Sequence, residues 1–222
     1  MDELLTRWVA FWSRLGARGD IASEGERLLA RYDEPWRHYH TRDHLRDLYR
    51  LFDEYRHLAR DPDAVEAAIP LHDAVYAIAS STNEQDSAAL TLETIARLGV
   101  AYLITPVADI VLATTHAQAS NDPDTALFCD LDLAILGADR ERYATYADAI
   151  RAEYESIYTP REYCVGRQVF LHRFLERVLA SEAVYTTAPL RERFGPHVRG
   201  NLAWEIELLK ERKTRLDMEW FS

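Results

Sequence analysis

Residues 38–45 read HYHTRDHL, three histidines in eight positions with Asp43 beside the last. Crowded imidazoles have two readings: a polar surface patch, or half of a metal site whose other ligands lie elsewhere in the chain. The same stretch opens a helix. Thr41 can accept a backbone N–H at a helix start, and Leu45, Leu48, Leu51 and Phe52 follow at helical spacing. A helix beginning near Thr41 carries His44 and leaves His40 just outside, while His38 reads as a surface or structural residue.

Outward from this stretch the helical period continues. Leu4, Leu5, Trp8, Phe11, Trp12 and Leu15 form one stripe, a core face. Further helices are expected over about 22–32, 63–79, 84–98, 106–117, 124–136, 140–156, 162–180 and 199–216. Breakers separate them at Asp61-Pro62, Gly99, Asn121-Asp122-Pro123, Gly137, Pro160 and Gly195-Pro196. Pro70 falls inside an expected helix, where it removes a hydrogen bond and bends the segment just before Leu71-His72-Asp73. Strand alternation is scarce, and no repeat or low-complexity tract stands out. One all-α domain is the economical reading.

Composition limits the partners. The chain has 222 residues, 48% of them apolar, with 5 Trp and 12 Tyr, enough for a substantial core. A net charge of -11 opposes extended contact with a nucleic-acid polymer, which normally needs clustered Lys and Arg. Arg37, Arg42 and Arg46 around the opening stretch still offer local positive potential to a small anion. Cys129 and Cys164 are too few for a disulfide framework or a four-thiolate zinc site. The first residues, MDELLTRWVAFWSRLG, differ from a signal peptide in carrying acids early. No run approaches the roughly 20 uncharged apolar residues that span a bilayer, so a cytoplasmic protein without a membrane partner is expected.

Complements to the histidines lie further along. IPLHDAVY (69–76) sets His72 and Asp73 side by side in an apolar surround, either an ion grip or a hydrogen-bonded structural pair. FCDLDLAILG (128–137) sets Asp130 and Asp132 among apolar neighbours; residues two apart diverge on a helix, so only one carboxylate is expected to face a metal. A cation at Asp132 would offset the cost of burying that charge; otherwise Asp130 is a helix-start acid and Asp132 a salt-bridge partner.

The ordered set His44, His72-Asp73 and Asp132 resembles the HD-domain superfamily of metal-dependent phosphohydrolases. HYHTRDH, LHDAVY, TNEQDSA, CDLDLAILG, IRAEY and VGR together resemble a bacterial family of predicted HD-superfamily phosphohydrolases, over roughly residues 30–180. The resemblance implies a single HD-like helical bundle over 1–222, with 181–222 as a C-terminal helical extension. It implies one divalent ion (Mn, Fe, Co, Ni or Mg) held by His44, His72, Asp73 and Asp132. His40 is the rival first ligand, or else a substrate-side or proton-carrying group. His116, in LATTHAQ, matches a further histidine position and is a catalytic candidate, though it also reads as a helix-end histidine. Glu84 and Asp86 in TNEQDSA could shape the cleft, or mark an ordinary helix start after Thr82. Arg151 and Arg167 read as phosphate clamps or structural ion-pair partners. The chain departs from the family at Ala77, where an acid is common, and at Pro70.

The expected activity is hydrolysis of a phosphate ester or anhydride in a small molecule, a nucleotide first. Two alternatives compete. An HD-fold diiron oxygenase usually needs two more histidines between the HD pair and the last Asp, where this chain has only His116, with Glu84 as a substitute. A non-catalytic nucleotide-binding module would keep the fold without turnover. The closing LDMEWFS places Trp220 and Phe221 as core cover or an oligomer contact, and leaves the oligomeric state open.

Overall fold

The computed structural model describes residues 2–118, 120–180 and 183–220, Trp220 by its backbone only. The expected roles of Trp220 and Phe221 as cover therefore lie outside the described side chains. The fold is all-α, with ten α-helices and no strand among the described residues. Contacts divide the chain into two compact units, residues 1–131 and 132–222.

The first unit holds α1 (Glu3–Arg14), α2 (Ile21–Arg31), α3 (Arg42–Tyr55), α4 (Pro62–Ala68), α5 (Asn83–Leu98) and α6 (Ile104–Ala113). It also holds α7 (Pro123–Asp132), all but its last residue. The stripe of α1 is buried at Leu4, Leu5, Trp8, Phe11 and Trp12, as its spacing predicts. α1 approaches α2 so closely that a Cβ at Gly25 would lie 2.4 Å from Trp8 Cδ1, so only glycine fits there. Thr41 caps α3 by accepting from Asp43 N, and α3 buries His44, Leu45, Leu48, Tyr49, Leu51, Phe52 and Tyr55.

Two helices of this unit are shorter than the periodicity suggests. The expected helix 63–79 stops at Ala68, and that over 106–117 stops at Ala113. Pro70 accounts for the first: it has no N–H to donate and its ring crowds the preceding turn, so the helix ends although Ile69 keeps helical angles. His72 and Asp73 therefore sit on an irregular turn, not on a helix surface.

The second unit holds α8 (Arg140–Tyr154), α9 (Pro160–Leu179) and α10 (Ala188–Trp220). Asp139 caps α8, and Thr159 with Glu162 forms a reciprocal capping box on α9. α10 begins before the expected 199 and runs through Gly195-Pro196, read from composition as a break. An interior proline costs a helix roughly 3 kcal/mol. Tertiary burial offsets it: Leu190, Val198, Leu202, Ile206 and Leu209 are all buried along α10. The Asn201 amide also donates to Leu136 O at 2.9 Å and Ala138 O at 2.8 Å. Arg167 and Glu205 meet in the core of this unit at 2.8 Å.

Candidate metal centre

His44 comes from the first turn of α3 and is 4% exposed; His72, 1% exposed, comes from the turn that Pro70 creates. That turn has lost helical pairing, and side chains supply the missing bonds. Backbone N–H groups of Leu71 and His72 still donate to Ala68 O. The Tyr32 hydroxyl, from the end of α2, donates to Pro70 O at 3.0 Å. Arg37 donates to Asp73 O at 2.8 Å and Ala74 O at 3.3 Å. From α5, Ser87 Oγ bonds both Val75 N and Val75 O, and the Asn83 amide bonds Ala77 N and Ala77 O.

These turn-holding residues are what sequence reasoning missed. TNEQDSA drew attention to its acids, but it is Asn83 and Ser87 that brace the His72-Asp73 turn. Asp86 accepts from the Thr82 hydroxyl at 2.9 Å, which is the helix-start reading. Only the presence of Asn and Ser inside that motif hinted at their part.

The ligand atoms converge. His44 Nε2 lies 3.2 Å from His72 Nε2, and His72 Nε2 lies 3.0 Å from Asp73 Oδ2. The same Asp73 oxygen is 3.9 Å from His44 Nε2. One ligand atom each of His44, His72 and Asp132 falls within a mutual 4.8 Å, a group able to hold a metal ion. Asp132 is the closing residue of α7, whose other residues all belong to the first unit. Asp130, two positions earlier, is buried at 2% exposure and is not in this set, as divergence on a helix requires.

Proton positions within the cluster show why a cation fits. His72 Nδ1 lies 2.9 Å from Ile69 O, a carbonyl that can only accept, so Nδ1 carries the hydrogen. His72 Nε2 then faces Asp73 Oδ2 at 3.0 Å and His44 Nε2 at 3.2 Å, so that imidazole nitrogens and a carboxylate oxygen, all groups that bind divalent ions, share one spot. Asp73 is not in that group of three, but its Oδ2 lies beside both imidazoles; two imidazoles with carboxylates suit a divalent ion with positions left open.

The remaining candidates are placed as follows. His40 is half-buried, its ring 4.3 Å from that of Tyr76 and its Nε2 3.9 Å from Asp73 Oδ2. His38 is exposed. Glu84 is half-buried in the first turn of α5, and His116, half-buried with φ 50°, lies in the loop after α6; neither belongs to the convergent set. The arginines of the opening stretch have partners within the protein. Arg37 is buried against carbonyls and Glu34, Arg42 is held by Asp33 and Asp2, and Arg46 pairs with Asp43. Arg151 pairs with Asp148 on the surface of α8, and Arg167 is buried on Glu205, the structural reading for both.

No helix among the described residues is long and apolar enough to cross a membrane. No protein-family model, curated protein or solved structure matches this chain.

Proposed function

We propose that this chain is a metal-dependent phosphohydrolase with a single HD-like centre, cleaving a phosphate ester or anhydride in a small molecule, a nucleotide first. The observation that carries the reading is the convergence of His44, His72 and Asp132, one ligand atom of each within a mutual 4.8 Å, with Asp73 Oδ2 3.0 Å from His72 Nε2. His44, His72, Asp73 and Asp132 would hold a divalent ion (Mn, Fe, Co, Ni or Mg), leaving coordination positions for water and a phosphoryl oxygen. Such an ion supplies Lewis acidity toward the phosphoryl group and lowers the pKa of water to near neutrality.

The chain's own groups do the rest. The hydrogen bond from His72 Nδ1 to Ile69 O fixes that ring's orientation and tautomer. His40 is partly exposed beside Asp73, its ring tilted against that of Tyr76, so its imidazole is placed to exchange a proton with a substrate. His116 and Glu84 are the next groups to test on the substrate side.

Metal analysis of wild-type protein beside His72→Ala comes first, followed by phosphate and pyrophosphate release from a panel of nucleotides and phosphomonoesters. The expected result is about one ion per chain and turnover in the wild type, and neither in the variant. Metal-loaded wild type that releases nothing from the whole panel would overturn the proposal.

A further inference from the structure

Arg37 belongs to neither the convergent ligands nor the surface. Its side chain is 0% exposed, and its guanidinium reaches two separate stretches of backbone. Nη1 donates to His40 O at 3.3 Å and to Asp73 O at 2.8 Å, Nη2 donates to Ala74 O at 3.3 Å, and Nε donates to Glu34 at 2.9 Å. The cation also lies over the rings of Tyr32, at 4.9 Å, and Tyr76, at 5.3 Å. One charged group thus ties the loop before α3, which carries His40, to the turn after α4, which carries His72 and Asp73.

Burying a guanidinium is expensive, and a single carboxylate would be the simplest compensation. Here most of the donors go to loop carbonyls that no helix satisfies, an arrangement that needs the planar fork of arginine. A lysine ammonium is a point charge on a flexible stem and cannot span three carbonyls in one plane. We propose that Arg37 is a positioning residue for the metal centre: it holds the His72-Asp73 turn and the His40 loop at the separation the bound ion requires. The inference rests on the metal-centre reading above.

The test is Co²⁺ titration of full-length wild type, Arg37→Lys, Arg37→Ala and His72→Ala, followed by visible absorption and by thermal melting. In Arg37→Lys and Arg37→Ala we expect Co²⁺ affinity to fall by about tenfold or more, the cost typical of disturbing groups that orient metal ligands, with an altered absorption band. Added methylguanidine should restore the affinity of Arg37→Ala, and methylammonium at equal concentration should not. Arg167→Lys serves as a control for general destabilisation: it should lower the melting midpoint and leave Co²⁺ affinity unchanged. If Arg37→Ala does not fold, Arg37→Lys decides alone. A folded Arg37→Lys whose affinity stays within about twofold of wild type overturns the positioning role, because charge without the fork then suffices. Wild-type binding that His72→Ala leaves intact, or no wild-type binding at all, removes the metal centre itself and the role of Arg37 with it.

Discussion

Two buried polar clusters differ in the kinds of side chain that they gather. In the second unit Arg167 is bonded to Glu205 by Nε at 2.8 Å and by Nη2 at 3.2 Å, and Nη2 also reaches the Tyr146 hydroxyl. The Tyr143 hydroxyl donates to Glu205 Oε2 at 2.6 Å. One cation meets one anion, and each has further partners. The other cluster gathers His44, His72 and Asp132, with Asp73 Oδ2 3.0 Å from His72 Nε2: imidazoles and carboxylates where the first has an arginine with its carboxylate. Burial of charge alone does not mark a site. Metal-ligating side chains within coordinating distance of one another mark a candidate one.

Removing one ligand should therefore act on binding more than on folding. His72→Ala or Asp132→Ala is expected to reduce metal content by a hundredfold or more while far-UV circular dichroism stays native, on the order of what losing a directly bound ligand implies. Retention of a full complement of ion in both variants would break the contrast. Arg167→Met should do the opposite. It leaves Glu205 buried without its cation, and a broken buried pair costs about 3–5 kcal/mol, read as a lower denaturant midpoint with unchanged metal content.

A smaller loss is expected for Tyr143→Phe, about 1.5–3 kcal/mol for one hydrogen bond to a buried carboxylate. The buried tyrosines also set an alkaline limit. Burial pushes the Tyr32, Tyr49 and Tyr143 phenols well above their usual range. Below about pH 10 both folded and unfolded chains keep these protons, so the contribution is fully present there. Above it the unfolded phenols lose protons that the folded ones retain, so stability falls as pH rises toward the raised values. Melting between about pH 8 and pH 11 checks this, and a midpoint flat across that range would contradict it.

Asp73→Asn sharpens the comparison most finely. With the facing carboxylate neutralised, the metal-free protein should gain on the order of 1 kcal/mol, the usual scale of relieving a functional strain. The rise in melting temperature that added metal gives the wild type should disappear with it. A metal-free variant less stable than wild type would mean that a proton already balances the pair.

Much of the first unit could be read from residue order. The α1 stripe, the Thr41 cap and the burial of α3 follow from local chemistry, since spacing and side-chain oxygen near a backbone N–H act over a few residues. The three residues that converge, His44, His72 and Asp132, were legible as part of an ordered set through the family resemblance, and so was the divergence of Asp130 from Asp132 along one helix. Distant partners were not legible. Arg37 donates to carbonyls of Asp73 and Ala74, 36 and 37 positions away. Pro196 read as a stop because the burial that holds α10 together lies in the packing of other segments.

The sequence by itself determined an all-helical chain, where most of its helices start, and the side chains able to bind a divalent ion. These depend on periodicity, caps and donor chemistry, all carried by neighbouring residues. Only the tertiary structure decided that His72 and Asp73 leave the helix, that Arg37, Asn83 and Ser87 hold their turn, and that His44, His72 and Asp132 converge. The physical reason is that backbone groups freed near Pro70 must find partners wherever the folded chain brings them, and those partners lie from 6 to 38 residues away.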